Sequence, residues 1–274
     1  MNRTIRKKVK GFQTVDGGGV KLVRVLGSQT AKEFDPILML DSFDSTNPQD
    51  YIAGFPPHPH RGIETISYVW QGKMKHKDNL GFEDTVEDGE VQWMTAGSGI
   101  IHEEQLPASE RMLGVQLWLN LPAKDKMTKP AYRSIKRDQI PEVELEGGRL
   151  RILAGSYDGQ QGVRGNYQPI DYYDITVEPG KTVTIPTEKG RQALLFPLLG
   201  DVRIAGEDLE EKTAALLSDG DQVTIEGKEK RAKVLFLSGS PLKEEIAWGG
   251  PVVMNTREEL QQAFKELEEG TFIK

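Results

Sequence analysis

The chain has no cysteine, which removes disulfides, thiolate metal ligands and cysteine nucleophiles together. It also lacks any run near the ~20 apolar residues needed to span a membrane. The opening MNRTIRKKVKGFQTV is basic without an apolar segment, so it does not read as a secretory signal, and the cytoplasm is the expected location. Positive charge is in deficit: 35 Lys and Arg against 42 Asp and Glu give a formal net charge of −7. That balance argues against direct nucleic-acid binding, which draws on clustered cations. Two short basic runs, residues 3–10 and 228–233, read as solvated surface. Gly17-Gly18-Gly19 is not followed by the lysine and helix opening of a phosphate loop. Histidine is scarce, with four in 274 residues.

What is present is a series of short apolar runs with turn residues between them. Residues 63–70 stop at Gln71-Gly72, residues 91–94 follow Asp88-Gly89, and residues 115–121 stop at Pro122. Runs of this length, rich in β-branched and aromatic residues, read as strands of an all-β sandwich or barrel. A diverged internal duplication is also expected. YVWQGKM (68–74) pairs with PLLGDVR (197–203), VEDGEVQWMTAG (86–97) with LSDGDQVTIEG (217–227), and VQLWLNLP (115–122) with VLFLSGSP (234–241). At 274 residues the chain is long enough for two such domains. The polar stretch 124–141, with Pro130 and Pro141, suggests a division into 1–131 and 132–274. Only the end is helical in pattern, over 256–269. Thr256 and Glu259 form a capping box, Leu260, Ala263, Phe264 and Leu267 make an apolar stripe, and Gly270 closes it.

All four histidines lie between His58 and His102, in the first half. In His58-Pro59-His60 the two imidazoles are two residues apart, so on an extended chain they project to one face about 6–7 Å apart. His102-Glu103-Glu104 repeats the geometry with an imidazole and a carboxylate. Two such strands facing each other inside a barrel would offer three nitrogens and one oxygen to a single ion. That donor set, with positions left for water, suits Fe(II), Mn(II), Ni(II) or Cu(II) better than calcium or a closed zinc cage. His76 alternates with lysines in Lys73-Met-Lys-His-Lys-Asp78, so it faces inward and could orient a ligand. Glu64 has inward parity, but it lies ~13 Å from His60 along a regular strand. It is expected in a supporting role or as a buried partner of Arg61. Trp70, Trp93 and Phe55 are candidates for pocket walls or for core.

The segments PPHPHRGIETISYVWQG (56–72), VQWMTAGSGIIHEEQ (91–105) and GGPVVMNTREELQQAF (249–264) resemble the signature segments of the pirin family, and the likeness runs over nearly the whole chain. The resemblance implies two cupin (jelly-roll) barrels in tandem with a C-terminal helix, and a monomer. It implies iron in the first barrel, held by His58, His60, His102 and Glu104, and no metal in the second, which has no histidine. It also implies a quercetin 2,3-dioxygenase activity on a small aromatic substrate with O2; for such a reaction Glu104 is the expected general base, alternating between that role and metal ligation. The alternative it carries is a non-enzymatic, iron-binding redox regulator acting through a protein partner. A sugar isomerase on the same scaffold is disfavoured, because no basic phosphate cluster accompanies the motif.

Overall fold

The computed structural model describes residues 1–274, which form two compact units, each discontinuous in sequence. Strand β1 (Ile5–Lys10) belongs to the unit made of Met1–Phe12 and Asp138–Pro241. The strands that follow build the other, histidine-bearing unit, Gln13–Arg137 with Leu242–Lys274. They are β2 (Phe12–Asp16), β3 (Val20–Leu26), β4 (Ile37–Ser45), β5 (Phe55–His60), β6 (Ile63–Gln71), β7 (Lys73–Asp78), β8 (Glu83–Glu87), β9 (Glu90–Thr95), β10 (Ile100–Gln105), β11 (Met112–Asn120) and β12 (Ala131–Ile135). The chain then supplies the rest of the histidine-free unit. These strands are β13 (Glu142–Leu145), β14 (Gly148–Ala154), β15 (Ser156–Tyr157), β16 (Gln160–Gln161), β17 (Ile170–Val177), β18 (Thr182–Pro186), β19 (Gln192–Leu199), β20 (Val202–Ile204), β21 (Glu207–Leu209), β22 (Thr213–Leu217), β23 (Gln222–Gly227) and β24 (Ala232–Gly239). It ends in the histidine-bearing unit with β25 (Ala247–Gly249), β26 (Val252–Met254) and α1 (Arg257–Glu268).

Each unit is a two-sheet antiparallel barrel on one plan. The histidine-bearing unit pairs β12-β9-β6-β11-β4-β3-β2 in one sheet and β5-β10-β7-β8 in the other. The second unit repeats this as β1-β22-β19-β24-β17-β14-β13 and β18-β23-β20-β21. By position in the sheets, β6 answers to β19, β7 to β20, β9 to β22, β10 to β23 and β11 to β24. The first and third expected repeat segments therefore fall on equivalent elements. The middle one is a misalignment by one strand. The Asp88-Gly89 turn leads into β9, whereas Asp219-Gly220 leads into β23, the counterpart of β10. An acidic residue before glycine closes tight turns anywhere in a barrel, so the dipeptide marks a turn and not which turn.

The division differs from a cut at 131/132. Residues 131–135 are the edge strand beside β9, and β1 fills the same edge position beside β22 in the other unit. The chain from Leu242 onward also returns to the histidine-bearing unit. Edge strands are recruited by hydrogen-bonding groups that any extended segment offers, which is why composition did not reveal the exchange. The basic runs are likewise not all surface. Arg3 is 1% exposed and donates to Thr187 Oγ1 and the carbonyls of Ser218 and Glu188, while Lys233 is buried and donates to Thr176 Oγ1.

The second unit is filled by an aliphatic and aromatic core that includes Ile152, Ile175, Val183, Ile185, Val223, Ile225 and Phe236. In the histidine-bearing unit the core is divided. One cluster includes Phe43, Val69, Met74 and Met112. Another includes Met39, Ile63, Ile100, Trp118 and Val253. The C-terminal segment is pinned by two buried cations. Lys126 Nζ donates to Gly62 O and Val253 O, both at 2.8 Å, and to Asn120 Oδ1 at 2.7 Å; burial pushes this ammonium down to about 7. Arg61, not paired with Glu64, donates to Ser98 O and Phe272 O at 2.7 Å. It also pairs with Glu266 at 2.8 Å and lies 4.1 Å over the Phe272 ring. Gly62 is required here: its φ is +77°, and a Cβ would sit 2.0 Å from Val253 O. Thr256 caps α1 with the expected box, and Leu260, Ala263 and Leu267 pack with Val252, Met254 and Phe272.

Candidate metal centre

The β5–β10 pairing sets His102 opposite His58 and Ile100 opposite His60. Directly opposed residues on antiparallel strands share a face, so His58, His60 and His102 converge. Their donor atoms lie within 4.8 Å of one another. His58 Nε2 and His102 Nε2 are 3.0 Å apart. Two nitrogens at right angles on one ion, each bonded at ~2.1 Å, would be separated by ~3 Å. The rings meet at steep angles (84° between His58 and His60, 53° between His58 and His102), so they do not stack on one another.

The outer nitrogens are occupied in a way that leaves the inner ones bare. His58 Nδ1 donates to Pro56 O at 2.8 Å and His60 Nδ1 to Pro251 O at 3.1 Å. Burial pushes the His60 imidazole down to about 3, with the neighbouring His58 adding to the effect. Burial likewise holds His102 well below the usual histidine range. Neutral rings with bare Nε2 atoms are what a divalent cation binds. The residues present therefore fit such an ion.

Glu104 does not join this group. It is buried on the same strand, but its Oε1 accepts from Gln92 Nε2 at 2.5 Å and its Oε2 from Gln116 Nε2 at 2.8 Å. A register shift between His102 and Glu104 in the pairing with β5 breaks the regular spacing of the pair. Glu64 is also outside the cluster. It accepts from Thr95 Oγ1 at 2.7 Å, and burial raises its carboxyl above the usual range. His76 is fully buried, as alternation along β7 required, and its Nδ1 lies 3.3 Å from His102 Nδ1.

A cavity of about 680 Å³ opens onto His58 and His60. Phe55, Trp118 and Trp248 form its aromatic wall, and Gln116 links it to Glu104. Also lining the cavity, Arg24 makes a fork to Asp41 (3.0 and 2.7 Å) and reaches Asp16 at 2.6 Å. The bond to Asp41 raises the guanidinium and keeps it cationic. Trp93 is core, lying beneath Arg133, and Trp70 does not line the cavity. Trp118 and Gln116 could have been found from the parity of 115–122, since they are two apart. Trp248, Pro251 and Arg24 carry no local signal.

Two barrels of one plan, with a convergent imidazole cluster inside only one, define a bicupin protein with a candidate metal centre. The pirin family description matches residues 19–119, and the pirin C-terminal cupin domain matches residues 172–273. A pirin-like protein of Caulobacter vibrioides is 42% identical over 98% of this chain and 99% of its own. Human pirin is 37% identical over 96% of this chain and 91% of its own. The chain belongs to the pirin family. Among solved structures, a quercetin 2,3-dioxygenase from Acinetobacter baumannii superposes with a TM-score of 0.92 at 32% identity, covering 99% of both chains. No helix is long and apolar enough to cross a membrane.

Proposed function

We propose that this protein is a metal-dependent dioxygenase that opens a flavonol such as quercetin with O2. His58, His60 and His102 would hold one divalent transition metal, Fe(II) first among Fe, Mn, Ni, Cu and Zn. Glu104, whose carboxylate is turned to Gln92 and Gln116, would have to leave these amides to serve as fourth ligand and general base. The observation that carries the reading is the cavity: about 680 Å³, lined by aromatic side chains and by two of the three imidazoles. This falls within the range of small-molecule sites, and a few convergent polar groups on an apolar wall are their usual chemistry. A metal held there would supply Lewis-acid polarisation of a substrate hydroxyl and a template for its meeting with O2.

The chain's own residues do the remainder. Phe55, Trp118 and Trp248 offer ring faces to a flat aromatic ligand. The Arg24 guanidinium is already neutralised by Asp41 and Asp16, which favours a neutral, hydroxyl-bearing ligand over an anionic one. Gln92 and Gln116 hold the Glu104 carboxylate, and Gln116 itself lines the cavity, so release from these amides would bring Glu104 to the substrate hydroxyl as its base. In this reading Asp41 and Asp16 accept hydrogen bonds from hydroxyls at the far end of the ligand.

The test is oxygen uptake with quercetin by anaerobically Fe(II)-loaded protein, beside His102→Ala and free Fe(II). Uptake well above both controls is expected. Uptake no greater than free Fe(II), with one iron still bound per chain, would overturn the dioxygenase reading and favour the redox regulator with a protein partner.

A further inference from the structure

Two of the three clustered histidines have their outer nitrogens fixed by backbone carbonyls, which no substitution of a neighbouring side chain removes. His102 is different. Its Nδ1 faces Nδ1 of His76 at 3.3 Å, and His76 Nε2 faces Asp78 Oδ2 at 2.7 Å. The other carboxylate oxygen, Asp78 Oδ1, accepts the Leu80 and Phe82 backbone N–H groups at 2.8 and 3.1 Å. His76 is 0% exposed and Asp78 8%. The Tyr132 ring stacks on His76 with centroids 4.0 Å apart and planes 12° apart, which fixes the plane of the imidazole. Register explains the convergence: across β10 and β7, His102 opposes Asp78 and Glu104 opposes His76. All four therefore project from one face of the sheet.

The direction of the hydrogen bonds follows from the outer end. A carboxylate only accepts, so His76 Nε2 carries the hydrogen. In the tautomer with its one hydrogen on Nε2, His76 offers the Nδ1 lone pair as acceptor, and the hydrogen between the two rings belongs to His102 Nδ1. That leaves His102 Nε2 bare, at 3.0 Å from His58 Nε2. We propose that Asp78 and His76 are positioning residues that hold His102, through this two-step relay, in the one tautomer whose Nε2 can bind a metal. The inference rests on reading His58, His60 and His102 as a metal site, and it adds a dependence of that site on two residues that touch no ion. A carboxylate behind a ligating histidine also raises the basicity of the ring and holds its orientation.

The discriminating variant is Asp78→Asn. It preserves size, and its side-chain oxygen can keep both turn hydrogen bonds. Its amide, however, presents N–H where His76 Nε2 needs an acceptor. His76 must then move its hydrogen to Nδ1, which sets two N–H groups against each other unless His102 moves its own hydrogen to Nε2, where it blocks coordination. A residue whose only task was to hold the turn would keep both backbone hydrogen bonds through this change.

The experiment measures Co(II) affinity by chelator competition on the full chain. It is paired with proton NMR of the Co(II)-loaded protein, in which the buried Nδ1–H groups of His60 and His102 give slowly exchanging, shifted resonances. Asp78→Asn is expected to weaken Co(II) binding by ~10–100-fold and to remove the His102 resonance while leaving that of His60. His76→Phe should weaken binding similarly. His76→Asn, whose oxygen reaches the Nδ1 position, should recover part of the loss. If Asp78→Asn lowers the metal-free melting midpoint, the contrast between His76→Phe and His76→Asn decides. Wild-type affinity and both resonances in Asp78→Asn or His76→Phe would overturn the relay and leave the three-histidine site standing. A wild-type chain that binds no Co(II) would overturn both.

Discussion

The two barrels differ most where their equivalent strand pairs turn inward. In one, β5 and β10 set His58 opposite His102 and His60 opposite Ile100. In the other, β18 and β23 set Val183 opposite Ile225 and Ile185 opposite Val223. One pair of interior strands thus carries imidazoles whose outer nitrogens are satisfied, and the other carries aliphatic side chains that close the core. The same scaffold accepts both because strand pairing is made by backbone groups, which leaves the inward side chains free to vary. The lesson is that chemistry here is a matter of a few alternating positions and the hydrogen-bond partners behind them.

That contrast can be broken most sharply at Glu104. Glu104→Gln should lower quercetin-dependent oxygen uptake by ~10² to 10⁴-fold, the usual worth of a general base, while a chelator titration still finds one metal per chain. Unchanged turnover would remove Glu104 from the chemistry. A converse substitution asks whether the second barrel can simply be given imidazoles. Ile185→His is expected to lower stability by ~1–3 kcal/mol, the cost of an unsatisfied buried polar group, and to create no second metal site. Denaturant unfolding with metal counting reads both, and a second bound ion would show that the backbone alone suffices.

A third prediction concerns pH. The His60 imidazole is pushed from its ordinary 6.5 to about 3 in the folded state, so between these values the unfolded chain binds the extra proton. Stability of the metal-free protein should therefore be intact above about 6.5 and fall as pH drops toward 3, with a slope approaching ~1.4 kcal/mol per pH unit for each such histidine. The depressed His102 acts in the same direction. Replacing His60 by Phe should flatten the profile, and an unaltered slope would place the dependence elsewhere. The smallest expected effect is at the helix. Thr256→Ala should cost about 1 kcal/mol, read as a small drop in the melting midpoint of the histidine-bearing unit with metal affinity unchanged.

Much of the site was legible because alternation on an extended chain is local. His58 and His60, and His76 between its lysines, face inward for reasons that need no knowledge of a partner strand. The helix was legible for the same reason: a cap and a stripe lie within one stretch of chain. The place of Glu104 was less so. Parity put it on the face of His102, but the register shift beside it and the two glutamines that hold it come from β9 and β11. Arg61 took Glu266 in place of Glu64 for a related reason, since its partner arrives with the C-terminal segment.

By itself, then, the amino-acid sequence determined that the chain is all-β and duplicated, that its histidines belong to one half, and which of them share a face. Those properties depend on residue type and on spacings of two, three or four. Only the tertiary structure decided that Pro251 would buttress His60 and that Trp248 and Arg24 would wall the cavity. It also decided that residues 5–10 would pair with β22 and residues 131–135 with β9, and that Asp78 would reach His102 through His76. Each of these joins groups distant in the chain, and period-2 alternation fixes the face of a strand without naming the strand beside it.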